Sequence, residues 1–256
     1  MRAIRRYVIA TMVAIVCSLN GWAQQVVFPY PNIPTTLLTP DERLSYTLEH
    51  FWNNYDFKNP LQANQQVGEQ GFVDFINLMS HADSALCAKA ASVVAQQLGS
   101  GGEMLFWFEG LMDHYLGNAE SPLKNDVTYV HLLRALPSSP QRTFLIKQLT
   151  QNLPGSIATD ITFINEQGDT QQLSSICSTK TILVFFDPQC DHCQEMMPRI
   201  RESFHDKKVV YINVDKNSDI QRYFYLPTLP SLYLLDENRR VVVKDGTIKE
   251  ICERLF

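Results

Sequence analysis

The hydrophobic period of the chain changes near residue 154. From about Thr39 to Leu153, apolar residues recur at intervals of three and four, which is typical of helices that pack by one face. Beyond that point they form short alternating or continuous runs, which are typical of strands. The pattern predicts an all-α helical N-terminal domain over 39–153 and an α/β C-terminal domain over 154–256.

The helical half begins with a capping box, in which Thr39 is the N-cap, Pro40 is the first helical residue and Glu42 is the third. Apolar stripes at helical spacing follow it. They cover Leu44–Tyr55, Phe72–Met79 with a continuation to Leu98, Met104–Tyr115, Val127–Leu136 and Thr143–Leu149. The short loops between them favour a compact bundle or a stack of helical hairpins.

The C-terminal half alternates predicted strands with predicted helices. The strands are Ile161–Ile164, Ile182–Phe186, Val209–Val214, Leu232–Leu235 and Val241–Val243, with the last two close enough to form a hairpin. The helices are Cys193–Phe204, Asp219–Phe224 and Ile248–Phe256. Because Ile182–Phe186 is apolar at every position, we expect that strand to be buried on both faces.

The first 23 residues have the composition of a targeting segment. Three arginines precede the apolar run Tyr7–Cys17, and Gly21-Trp22-Ala23 supplies the small residues of a cleavage site. Residues 1–23 are therefore predicted to be a cleaved signal peptide, with an uncleaved anchor as the alternative, and 24–38 a linker. An exported chain of this kind is expected in the oxidising periplasm.

The net negative charge of the chain argues against a nucleic-acid partner. The targeting segment carries three basic and no acidic residues, so the remaining chain has eight more acidic than basic residues. A chain with that balance and no dense run of Lys and Arg is not expected to bind nucleic acid, because phosphate binding needs a basic patch.

The sharpest chemical motif is Cys190-Asp191-His192-Cys193, directly after the strand Ile182–Phe186 and at the start of a predicted helix. The free N–H groups of a helix start favour negative charge, and therefore favour the Cys190 thiolate. Cys193 lies one turn further on, where its sulfur is placed to attack a mixed disulfide on Cys190. The motif therefore predicts a redox-active dithiol.

The C-terminal half resembles the thioredoxin superfamily, and within it the TlpA-like periplasmic thiol–disulfide oxidoreductases. The resemblance is carried by the dithiol motif, by Pro198 five residues after Cys193, by the loop and strand Leu226–Asp236, and by the opening hairpin Gly155–Leu173. It covers residues 154–256. It implies a thioredoxin-like α/β fold that exchanges disulfides with protein thiols or disulfides, works without a cofactor or metal, and passes electrons to or from a membrane-bound dithiol protein.

The resemblance also implies roles for individual residues. Cys190 would be the attacking thiolate and Cys193 the resolving thiol. Pro230 would follow a cis peptide bond and form the substrate loop, turning the backbone of Leu229 toward the dithiol; Pro227 is a rival candidate for the cis residue. His192 would tune the potential by stabilising the Cys190 thiolate.

The motif departs from the family at two positions. Val184 stands where thioredoxins bury an Asp as a proton acceptor, and Gln189 stands in place of the usual Trp. The group that accepts the Cys193 proton is therefore open, with Asp187 and Glu195 both near in sequence. The direction of electron flow is open too, because a carboxylate at Asp191 opposes the effect of His192.

The helical half is similar to an uncharacterised helical domain that precedes TlpA-like domains in some bacterial exported proteins. That resemblance implies no activity, and no paired catalytic residues stand out in its sequence. Our hypothesis is that this half shapes the surface around Cys190 or docks a partner.

Other interpretations remain open beside the redox one. The pair Cys190 and Cys193 could bind zinc or form a structural disulfide. The fold could serve as a binding module without turnover, or it could reduce peroxide through a sulfenic acid on Cys190. Cys177 and Cys252 are candidates for a structural bridge, and Cys87 is expected to be a buried thiol that packs as a small hydrophobic group.

Overall fold

The computed structural model describes residues 27–58, 66–177 and 179–255. The predicted signal peptide, residues 1–23, lies outside the described residues. Within the described part, long helices occupy the chain up to residue 149 and every strand follows residue 160, so the change of hydrophobic period corresponds to a change of structure.

The helical half follows the predicted stripes. Its helices are α1 (Pro40–His50), α2 (Gln66–Met79), α3 (Ser84–Leu98), α4 (Glu103–Met112), α5 (Asp126–Ala135) and α6 (Pro140–Leu149). The predicted capping box is present on α1: the Glu42 N–H donates to Thr39 Oγ1 at 3.2 Å, and the Thr39 N–H donates to the Glu42 carboxylate at 3.0 Å.

Two features of these helices differ from the sequence pattern. The stripe expected to continue from Met79 to Leu98 is broken, because Asp83 caps a new helix by accepting the Leu86 N–H at 2.8 Å. The apolar stripe that begins at Met104 forms two kinds of helix: α4 ends at Met112, and a π-helical turn, Asp113–Gly117, follows it directly.

An aromatic core holds the helices together. Its large, fully buried side chains include Phe51, Trp52, Phe72, Phe75 and Phe108. Phe28, from the segment predicted to be a linker, stacks on Phe51 with 5.1 Å between ring centroids. Gly71 makes this approach possible, since a Cβ there would lie 2.2 Å from the Phe28 ring. Phe28 is therefore part of the helical core.

The C-terminal half is a mixed four-stranded sheet with an added hairpin. Its elements are β1 (Thr162–Ile164), β2 (Thr170–Gln172), α7 (Leu173–Ile176), β3 (Thr181–Phe186), α8 (Asp191–Ser203), β4 (Val209–Asn213), a 3-10 helix (Ser218–Arg222), β5 (Ser231–Leu235), β6 (Val241–Val243) and α9 (Ile248–Leu255). The sheet order is β4-β3-β5-β6, with β3 parallel to β4 and antiparallel to β5, while β1 and β2 pair separately.

The central strand β3 is buried along its whole length, as its continuous apolar run predicted. Ile182 and Val184 pack on one face of the sheet with α8 and α9. Leu183 and Phe185 pack on the other face with β1, α7 and the 3-10 helix. The helix that carries the dithiol is thus held against a rigid sheet.

Hydrogen bonds and a buried ion pair join the two halves. The side-chain amide of Asn152 donates to the Tyr223 carbonyl at 2.7 Å, and its oxygen accepts the Thr159 N–H at 2.8 Å. The Lys244 ammonium, whose side chain is 3% exposed, lies 2.6 Å from the Asp126 carboxylate and donates to the Leu149 carbonyl at 2.7 Å. Because loss of Asp126 would leave a buried charge without its ionic partner, this pair ties Lys244 to the helical half.

Candidate redox site

The turn between β3 and α8 is built by local hydrogen bonds. The Cys190 N–H donates to the Asp187 carbonyl at 3.2 Å, and the Gln189 N–H donates to the Asp187 carboxylate at 2.8 Å. The Gln194 side chain closes the turn by donating to the Pro188 carbonyl at 2.8 Å. These bonds leave Cys190 as the N-cap of α8, where its sulfur accepts the Cys193 N–H at 3.5 Å.

The two cysteines of the motif differ in exposure. Cys190 is half-buried, whereas Cys193 is 1% exposed and packs in the cluster beneath α8. Burial raises the pKa of the Cys193 thiol to about 11, and the neighbouring Cys190 and the Asp187 charge act in the same direction, against the Asp187 backbone amide. The accessible sulfur is therefore that of Cys190.

The loop before β5 lies against the accessible sulfur. The Leu229–Pro230 peptide bond is cis, whereas the rival Pro227 follows a trans bond. The Leu229 carbonyl oxygen is 3.9 Å from Cys190 Sγ. The structure thus brings Pro230, Cys190 and Cys193 together, although Pro230 is 37 residues beyond Cys193 in the sequence.

His192 is exposed on the first turn of α8, and its imidazole forms no hydrogen bond or ion pair with any described residue. It lines a groove together with Pro230. A tuning effect of His192 on Cys190 therefore has no direct contact behind it in this geometry.

The proton acceptor that thioredoxins bury is missing here, since Val184 is fully buried among apolar side chains. Of the two carboxylates considered from the sequence, Asp187 is close enough to act on the charge of Cys193, whereas Glu195 is exposed on α8. Sequence spacing could not separate the two, because the difference arises from the turn that folds Asp187 back over the start of the helix.

A groove of about 620 Å³ lies where the helical half meets α8 and the loop of Pro230, and neither cysteine of the dithiol lines it. Ala119 and Glu120 line it from the helical half, and His192, Arg199 and Pro230 line it from the C-terminal half. We call it the interdomain groove. Its remaining walls are Met196, Ser203, Thr228, Leu232 and the segment 245–249.

The other cysteines do not form the bridge considered from the sequence. Cys177 packs on the face of the sheet that carries β1 and α7, whereas Cys252 packs on the face that carries α8. Both are free thiols on opposite sides of the sheet, so the Cys177–Cys252 bridge is ruled out by the fold. Cys87 is buried as expected, with its thiol 3.2 Å from the Met79 carbonyl.

A zinc site at Cys190 and Cys193 would need two further ligands. In the part of the chain that the structure describes, no group of three or more His, Cys, Asp or Glu side chains is arranged to hold a metal ion. The same described residues include no helix that is long and apolar enough to cross a membrane.

The fold and the dithiol geometry define a thioredoxin-like protein, and comparison of sequences gives the same class. The AhpC/TSA family model matches residues 154–253, and the model of the domain of unknown function DUF5106 matches residues 9–152. The chain therefore belongs to the DUF5106 family, and a thioredoxin-like domain of the AhpC/TSA family follows the helical domain. No curated protein matches the chain.

Solved structures are similar to this chain over different lengths. A thioredoxin-like protein from Bacteroides caccae is similar over 90% of this chain and 98% of its own, with a TM-score of 0.76 and 20% identity. A thiol:disulfide interchange protein from Bacteroides sp. matches over 40% of this chain and 88% of its own, with 15% identity and a TM-score of 0.34. The first likeness extends through both halves, so their arrangement is a fold that recurs at low sequence identity.

Proposed function

We propose that the protein is an exported thiol–disulfide oxidoreductase that exchanges disulfides with protein substrates through Cys190 and Cys193. The single observation that carries the proposal is the unequal exposure of the two sulfurs at a helix start. An accessible thiol caps the helix, and a buried thiol lies one turn behind it. Disulfide exchange requires this division between an attacking and a resolving group.

In the proposed cycle, the Cys190 thiolate attacks one sulfur of a substrate disulfide. The new Cys190–substrate bond forms as the substrate S–S bond breaks, and one substrate thiolate leaves. Cys193 then loses its proton and attacks the Cys190 sulfur, which forms the Cys190–Cys193 disulfide and releases the second substrate thiolate. Two electrons pass from the dithiol to the substrate, and the same steps in reverse oxidise a substrate dithiol.

The substrate loop supports a protein rather than a small-molecule substrate. No described residue pairs with the backbone N–H or carbonyl of Thr228, beside the Leu229 carbonyl that faces Cys190. Unpaired backbone groups next to the reacting sulfur suit an extended polypeptide, which can add to them as a strand does to a sheet edge. In this proposal Pro230 forms the loop and His192 tunes the potential from the groove.

The proposed reaction takes place in the periplasm and depends on a redox partner in the membrane. Residues 1–23 would direct export to the periplasm and be removed, and a membrane-bound dithiol protein would return the Cys190–Cys193 pair to its working state. The odd count of five cysteines after residue 23 fits one cycling pair beside thiols that stay free.

The test is reduction of insulin disulfides by the full mature chain with a chemical reductant as the electron source. We expect turnover in the wild type, none in Cys190→Ser, and wild-type turnover in Cys252→Ser, which removes a half-buried thiol that does not line the groove. Activity that survives Cys190→Ser would overturn the proposal. An inactive wild type that still binds unfolded polypeptide would favour the binding module instead.

A further inference from the structure

The helical half supplies one wall of the interdomain groove. Ala119 and Glu120 lie in the loop that follows the π-helical turn, and they face the same space as His192 and Pro230. A chain that lies along the substrate loop therefore meets residues from both halves. A single thioredoxin-like domain would leave this side of the groove open.

A short chain of polar contacts links the helical half to the substrate loop. Ser231, which directly follows Pro230 and is 1% exposed, donates its hydroxyl to the Asp245 carboxylate at 2.7 Å. The other oxygen of that carboxylate pairs with the Lys124 ammonium. Lys124 belongs to the helical half, just before α5. Both carboxylate oxygens of Asp245 are thus occupied, one by each domain.

The backbone around Asp245 is held in a conformation that needs support. Asp245 has a φ of +48°, a backbone conformation that residues other than Gly, Asn and Asp rarely adopt. Its side chain is 6% exposed, and the next residue, Gly246, donates its N–H to the Leu232 carbonyl at 3.0 Å. On the preceding residue, Lys244 pairs with Asp126. Two crossed ion pairs therefore hold the segment 244–246 between the helical half and the substrate loop.

We infer that the helical domain is a working part of the redox site: Ala119 and Glu120 form the far wall of a groove that holds an extended segment of a protein substrate, and Lys124 is a positioning residue for the substrate loop. The inference rests on the proposed function and names its substrate class. The groove is lined by Thr228 and Pro230 on either side of Leu229, whose carbonyl faces the Cys190 sulfur, so a polypeptide that lies along the substrate loop enters it. Its walls are partly apolar and partly charged, which suits the mixed side chains of a polypeptide.

A bulky side chain at Ala119 tests whether the helical half contributes to substrate binding. The measured quantity is the ratio of kcat/KM for a ten-residue peptide disulfide to kcat/KM for hydroxyethyl disulfide. In Ala119→Trp the indole would occupy the groove, so we expect this ratio to fall about tenfold. The matched control is Ala88→Trp, the same substitution at an exposed site on α3 outside the groove, which should leave that ratio at the wild-type value. An Ala119→Trp variant with the wild-type ratio would show that Ala119 does not form a wall of the substrate groove.

The positioning role of Lys124 is tested through binding rather than through rate. In Lys124→Met we expect KM for the peptide disulfide to rise about fivefold with a smaller change in kcat, and Lys124→Arg to restore it by keeping the charge on Asp245. The matched control is Lys89→Met, the same substitution at an exposed lysine of the helical half, whose partner Glu49 lies outside the groove. An equal rise in KM in Lys89→Met would overturn the specific role of Lys124.

The proposed function and this inference fail in different ways. If the wild type reduces neither the peptide disulfide nor hydroxyethyl disulfide, the redox function itself is wrong. If the wild type reduces both, but Ala119→Trp and Lys124→Met treat the peptide as the wild type does, then the redox function stands and the helical domain has no part in the site. All variants are made in the full chain, with thermal melting as the check that each one folds.

Discussion

The sulfur of Cys190 lies 3.9 Å from the carbonyl oxygen of Leu229, a residue 39 positions further along the chain. The two meet because β3 leads into the helix that carries Cys190, and β5, which starts just after Pro230, pairs with β3 in antiparallel register. Under the proposed function, a polypeptide that lies along Leu229 would bring its own disulfide next to Cys190. The sheet pairing, rather than any local motif, creates the site.

Replacing Cys193 by Ser should trap the substrate. Cys190 can still attack, but the buried thiol that would release the mixed disulfide is gone, so a covalent complex with a disulfide-containing protein accumulates. Mass spectrometry of the complex should place the bond at Cys190. Cys190→Ser should give no complex, and Cys252→Ser, as the control, should behave as the wild type. A complex held through Cys252 or Cys177 would contradict the assignment.

The stability of the reduced protein should fall in alkaline solution because of Cys193. Burial raises the pKa of its thiol from an ordinary value of 9.0 to about 11, so the folded state holds this proton more tightly than the unfolded chain does. The stabilising effect is complete below about pH 9 and is lost as the pH rises through about 11. The difference in unfolding free energy between wild type and Cys193→Ala should shrink by about 2 kcal/mol across that window. Parallel stability curves for the two proteins would contradict this account.

The charge of Asp187 should add to the effect of burial on Cys193. It disfavours the Cys193 thiolate, so Asp187→Asn should lower the pKa of that thiol, while the amide oxygen can still accept the Gln189 N–H. Alkylation of Cys193 in a Cys190→Ser background, followed against pH, measures the shift. Asp191→Asn is the control, because that exposed carboxylate does not act on Cys193. An equal shift in both variants would refute a specific effect of Asp187.

Cys87, Cys177 and Cys252 should remain free thiols after oxidation. Cys177 and Cys252 lie on opposite faces of the sheet, and Cys87 is buried in the helical half. Alkylation of the oxidised, denatured mature protein should therefore label these three and leave one disulfide, between Cys190 and Cys193. A second disulfide within one chain would mean that the sheet is built differently.

Much of the fold follows from local patterns. The capping box at Thr39, the continuous apolar run of β3 and the hairpin of β5 and β6 are set by neighbouring residues, and the structure has each of them. The helix expected over Asp219–Phe224 is instead a 3-10 helix, Ser218–Arg222, because so short a segment is governed by its packing under the sheet.

The site was only partly accessible from sequence. Cys190 and Cys193 lie within one four-residue motif, which the sequence shows directly, and the resemblance of Leu226–Asp236 to a thioredoxin loop predicts the role of Pro230. The contact between Lys124 and Asp245 joins residues 121 positions apart, and the local sequence around either residue does not predict it. The same holds for the wall at Ala119, because a groove between two domains is a property of their docking.

The most direct test is the redox equilibrium of the mature protein in graded glutathione buffers, with free thiols counted by mass after alkylation. The account predicts one reversible two-electron couple that belongs to Cys190 and Cys193 and is absent from Cys190→Ser. A potential of about −120 to −180 mV would make the protein an oxidant or isomerase, and one below about −250 mV a reductant. A pair that never cycles between dithiol and disulfide over the whole range would contradict the account and leave a thioredoxin-like fold that binds without turnover.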